Sequence, residues 1–208
     1  MIKTLVFDIG GVLVNWAPVE FCKNFTSDEE EAKRLSKILF EGPEFKGGDI
    51  GKYTRAQTHE LLLKNYPELT DVINKAMAGC DEILVASQEN TQLLKELKAA
   101  GFELYFLSNT NPSAFEWMQA RHEFFKLMDG GIASFKVKLM KPDHSIFECF
   151  LSTYGKKAEE CVFVDDTPVN TKAASECGFG SIRNFNRIFK ALSNQTPRDL
   201  QKAYLTTS

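Results

Sequence analysis

TLVFDIGG, residues 4–11, is a short apolar run closed by Asp8 and the Gly10–Gly11 pair. Such a run suits a buried parallel strand that ends in a tight turn. Two later stretches repeat its form. FELYFLSNT (102–110) reaches Ser108 and Asn109 after LYFL, and CVFVDD (161–166) ends on Asp165 and Asp166. Between and after them, helices are expected over about 88–100, stopped at Gly101, after Lys141-Pro142, and through Ala173 to Cys177, stopped at Gly178. GIASF (131–135) and GSIR (180–183) complete the strand candidates.

Strands alternating with helices predict an α/β fold, a doubly wound parallel sheet. Residues 18–80 break the rhythm. No comparable strand occurs there, and Ser27 with Glu30 and Thr54 with Gln57 read as capping boxes opening helices. EGPEFKGGDIGKYT, with five glycines and prolines between residues 42 and 51, reads as a mobile surface loop. The expected organisation is a core of residues 1–16 and 81–208 with a small helical insertion, 17–80, after the first strand. A short helix is expected beyond Pro197. Phe21, Phe25, Phe40 and Phe45 are assigned to a core within the insertion, with Phe45 a candidate pocket wall.

Composition bounds the function. The 208 residues are 43% hydrophobic and 25% charged, with a formal net charge of −3 and no basic run, which argues against nucleic acid. Five scattered cysteines, none spaced as CxxC, fit a reducing compartment. Asp8 interrupts the first apolar run too early for a signal core or a membrane span, so a cytoplasmic protein is expected. His59, His122 and His144 lack metal-ligand spacing and receive no catalytic role.

Ligands of open α/β sheets bind at the carboxyl edge of the strands, so the three polar strand ends should share one crevice. Asp8, Asp165 and Asp166 would repel one another there unless a cation joined them, and hard oxygen ligands suit magnesium. An aspartate beside that cation can attack phosphorus, while Ser108 and Lys141 hold the phosphoryl oxygens.

FDIGGVLV, LSNTN, Lys141-Pro142 and VFVDDTPVN, in that order, resemble the four motifs of the haloacid dehalogenase-like hydrolases. The resemblance implies that Asp8 is nucleophile and metal ligand and that Gly10 offers its carbonyl to Mg2+. It also implies that Asp166 ligates the metal, that Asp165 ligates it or orders its water, and that Asn170 supports the loop. Ser108, Asn109 and Lys141 would bind phosphate. The usual phosphatase has a second aspartate, its general acid and base, where this chain has Gly10. The DxGxV form is similar to the branch containing α-glucose-1-phosphate phosphatases, so a magnesium-dependent phosphomonoesterase acting on a small phosphorylated metabolite, sugar phosphates foremost, is expected. The alternatives are an inactive module that binds a phosphorylated ligand or a protein, and a 2-haloacid dehalogenase. Asn15, Asp49 or another residue of the insertion could replace the missing acid and base.

Overall fold

A computed structural model describes residues 2–180, so the rest of GSIR beyond Gly180 and the helix expected beyond Pro197 lie outside the described residues. Among the described residues four parallel strands, β1 (Thr4–Phe7), β2 (Glu103–Ser108), β3 (Gly130–Ala133) and β4 (Cys161–Val164), form one sheet in the order β3-β2-β1-β4. Side chains alternate across it. Leu5, Phe7, Leu104, Phe106, Val162 and Val164 share one core, and Val6, Tyr105, Leu107, Cys161 and Phe163 share the other. Helices α6 (Gln88–Ala99) and α7 (Pro112–Arg121) contribute Leu94, Leu97, Phe115 and Met118 to the first. Helices α8 (His144–Tyr154) and α9 (Pro168–Glu176) contribute Phe147, Phe150, Ala173 and Ala174 to the second. The sheet is therefore doubly wound.

After β1 the chain steps to β2 and β3 on one side, and β4 returns on the other side of β1. The crevice at such a reversal collects ligand-binding residues. Phe7 pairs with both Phe106 and Val164, so the strand ends are level, and the Asp8 amide donates to the Val164 carbonyl at 2.8 Å.

Between β1 and β2 lie α1 (Pro18–Cys22), α2 (Glu29–Ser36), α3 (Pro43–Asp49), α4 (Arg55–Asn65) and α5 (Thr70–Gly79). They bury a separate core that includes Leu35, Leu39, Phe40, Leu62, Ile73 and Met77, with Phe21, Phe25 and Phe45 packed against it. Thr54 and Gln57 form the expected capping box. The other box is shifted by one residue. Asp28, not Ser27, caps α2, its carboxylate accepting from the Glu31 amide at 2.7 Å.

The mobile loop expected at 42–51 is instead α3, with Pro43 in its first turn and Gly47, Gly48 and Asp49 buried. Its glycines serve close approach. A Cβ on Gly47 would lie 2.4 Å from the Tyr53 ring, and one on Gly48 3.3 Å from Thr58 Oγ1.

Candidate active site

Asp8 follows the last residue of β1 and is buried, 9% exposed. Its Oδ1 accepts from the Ile9 amide at 2.7 Å and lies 2.9 Å from Lys141 Nζ. That leaves Oδ2 as the oxygen presented to a ligand. Burial pushes the Asp8 carboxyl up to about 6, a push that Lys141 opposes and Asp165 reinforces.

Lys141 also touches Asp165 Oδ2 at 2.6 Å, and both side chains are almost completely buried. The Asn170 amide donates to both Asp165 oxygens, at 3.1 and 3.0 Å, and the Thr167 amide donates to Oδ1 at 2.8 Å. Asp165 is thus a fixed anchor for the lysine. Asp166, by contrast, is exposed beside it. Gly11, at φ +75°, allows that arrangement, since a Cβ there would sit 2.3 Å from Asp166 Oδ2.

Carboxylate oxygens of Asp8, Asp165 and Asp166 all lie within 4.8 Å of one another. Three carboxylates against one ammonium leave an excess of negative charge, and the donors are all oxygen. The residues fit a hard divalent cation.

Ser108, at the end of β2, is buried and lines the same crevice. Asn109 lines it too, but its side chain is committed elsewhere. Its amide nitrogen donates to the Lys141 carbonyl and its oxygen accepts from the Lys141 amide, both at 2.9 Å. The expected phosphate ligand therefore acts, through its side chain, as a clamp on the lysine's backbone.

Above the strand ends is a cavity of about 230 Å³. Its floor carries Asp8, Gly10, Ser108, Lys141 and Asp166. Its walls include Trp16, Phe40, Phe45, Leu84 and Met118 together with Asp49, Arg55, Asp81 and Asn111. Trp16 stacks on Phe45 at 6.2 Å and meets Phe40 edge-on at 5.4 Å. Arg55 is paired with Asp81 at 2.5 Å. Among the described residues, no histidine lines this cavity. His59 bonds Asn74, His122 the Leu84 carbonyl and His144 Glu176. Asn15 is not in its lining either, whereas Asp49 is. Trp16, Arg55, Asp81 and Met118 had no sequence signal of their own, and Phe40 was legible only as core, because ordinary core and surface residues become walls only through long-range packing.

Burial pushes the Asp49 carboxyl up to about 7, against a smaller downward pull from the Asn111 side chain. A carboxyl raised this way binds its proton more tightly in the folded than in the unfolded chain. Stability therefore falls as pH rises from the unfolded value, 3.8, through the folded one. At about 1.4 kcal/mol per unit, roughly 4 kcal/mol is at stake across that window. Asp49→Asn is expected to melt above the wild type, by a margin that widens from about pH 5 to about pH 8. A margin that stays constant in thermal melts at the two pH values would show that Asp49 ionises freely in the fold.

A doubly wound sheet whose strand ends bring acids, a buried lysine and a serine beneath a helical insertion defines a hydrolase core with a covered site. A family profile for haloacid dehalogenase-like hydrolase matches residues 2–178. The chain belongs to that family. It is 27% identical over 176 residues to the sesquiterpene phosphatase astK of Aspergillus oryzae, covering 85% of this chain and 86% of the relative. It is 28% identical over 198 residues to (S)-2-haloacid dehalogenase 1 of a Pseudomonas species, covering 91% and 86%. A HAD family enzyme of Bacteroides thetaiotaomicron, solved with magnesium and inorganic phosphate, superposes with a TM-score of 0.67 at 25% identity, covering 87% of this chain and 93% of the other.

Proposed function

We propose that the protein is a magnesium-dependent phosphomonoesterase that forms an aspartyl phosphate on Asp8. The carrying observation is the approach of the Asp8, Asp165 and Asp166 carboxylates to within 4.8 Å, with Lys141 alone among the described residues bonded to them as a cation. Asp8, Asp166 and the Gly10 carbonyl would hold the cation, which supplies charge neutralisation for the phosphoryl oxygens when bound. Asp165, whose oxygens are already bonded, holds Lys141 in place.

Asp8 Oδ2 attacks phosphorus, and the ester P–O bond breaks toward the departing oxygen. Lys141 Nζ and the Ser108 hydroxyl take the charge on the phosphoryl group. Water then attacks the aspartyl phosphate, releasing inorganic phosphate and restoring the carboxylate. A metal-free dehalogenase would leave this acidic crevice with no such counter-charge.

The substrate is a small phosphorylated metabolite. The DxGxV form of the first motif keeps sugar phosphates first. The apolar wall of Trp16, Phe40, Phe45, Leu84 and Met118 favours a second reading, a phosphate ester of a hydrocarbon chain, and a relative named as a sesquiterpene phosphatase agrees with it. Phosphate release from both ester classes, with magnesium or chelator and with Asp8→Asn as the blank, tests the proposal. Metal-dependent release supports it and ranks the substrates. Magnesium binding without turnover on any ester would instead favour the binding-module reading.

Gly11→Ala should weaken magnesium binding and turnover by about tenfold or more, since the new methyl needs the space of the Asp166 carboxylate and the backbone has positive φ. Calorimetric titration reads the affinity. Unchanged affinity would mean that Asp166 is not a ligand.

A further inference from the structure

Resting on that phosphatase reading, we propose that Asp49, delivered by the insertion, is the proton donor to the leaving group and the base for the second step. The position two residues after the nucleophile cannot serve, being Gly10, and Trp16 packs beside it. A Cβ built there would already touch Trp16, 3.5 Å from its Cβ and 3.6 Å from its Cγ. The proton must come from elsewhere in the cavity.

The other ionisable groups in the lining have other employment. Asp8, Asp166 and Lys141 serve attack, cation and phosphoryl group, Asp81 is paired with Arg55, and the Cys80 thiol is raised by burial. Asp49 is a buried carboxyl whose side-chain partner is the neutral Asn111. It is fixed to the core at two points. Ser134 Oγ donates to its backbone carbonyl, and Asn111, which caps α7 by accepting from the Ala114 amide at 3.0 Å, donates to its side chain. An acid so held lines the same cavity as Asp8, Ser108 and Lys141, where the departing group of a substrate with phosphorus over Asp8 must lie.

The protons balance over the cycle. As the ester P–O bond breaks, its electron pair goes to the leaving oxygen, which takes the proton of the Asp49 carboxyl and departs as an alcohol. The Asp49 carboxylate then takes a proton from the water whose oxygen attacks phosphorus. The bond from phosphorus to Asp8 breaks, the Asp8 carboxylate returns, and Asp49 is again protonated.

Asp49→Asn keeps the shape and removes the proton. The test compares it with the wild type on an alkyl phosphate, whose leaving group needs the proton, and on p-nitrophenyl phosphate, whose leaving group does not. Turnover of the alkyl ester is expected to fall by about a hundredfold or more, the usual weight of a general acid. The aryl ester should still phosphorylate Asp8 at nearly the wild-type rate, giving a burst of nitrophenol close to one per enzyme and then slow turnover as the second step stalls. A melting curve and magnesium titration on the same variant separate this from misfolding. Absence of the nitrophenol burst in the folded variant, or no loss of turnover on either ester, would overturn the role of Asp49 while leaving the phosphatase intact. A wild type with no metal-dependent release from any ester would remove the phosphatase reading and this inference with it.

Discussion

Asp8→Asn is expected to abolish phosphate release, a loss on the order of ten-thousandfold or more. The amide is not a nucleophile, and it also withdraws a negative ligand from the proposed cation. The substitution should not cost the fold. Lys141 keeps Asp165 as a partner at 2.6 Å, so the buried ammonium stays paired. The Ile9 amide that donates to Asp8 Oδ1 can donate to the asparagine oxygen. Phosphate release measured beside a thermal melt checks both halves. A well-folded variant retaining more than a few per cent of wild-type turnover would mean that another group attacks phosphorus.

Lys141→Met should combine a large kinetic loss with a structural one. The lysine lies between two carboxylates, 2.9 Å from Asp8 and 2.6 Å from Asp165. Methionine fills much of its volume and none of its charge. Removing one partner from a buried ionic group costs about 3–5 kcal/mol, because the remaining charges are left uncompensated. Loss of a charged donor to the phosphoryl oxygens adds roughly a hundred- to a thousandfold in turnover. Urea unfolding with and without magnesium measures the first effect, and saturating metal is expected to recover part of it. A variant as stable as the wild type in metal-free urea would show that the buried lysine is not what holds these carboxylates together.

The core of the fold was legible because its signals are local. An apolar run ending in an acid marks β1 and β4 directly, and Asp8, Asp165 and Asp166 sit where that pattern puts them, on the side of the sheet where strand order reverses. Asn109 was legible as a polar strand end but not as a clamp, since its partner is 32 residues away. The segment around Gly47 and Gly48 misled for a physical reason. Glycine marks either freedom or crowding, and only the Tyr53 ring against Gly47 shows that this pair means crowding. Ser27 and Asp28 are both good helix caps, and the sequence alone does not rank two adjacent ones. The cavity walls depend on how the insertion's own core, including Phe40 and Leu62, lays its helices over the strand ends.

The attachment of Asp49 to Ser134 and Asn111 bears on discrimination between substrates. With the proton carried by the insertion and the phosphoryl machinery by the sheet, a molecule whose shape keeps its leaving oxygen away from the fixed Asp49 still reaches Lys141 and Ser108 with its phosphate. It then meets no acid. Such an impostor would occupy the protein with ordinary affinity and be processed slowly, so selectivity would appear in kcat and not in KM.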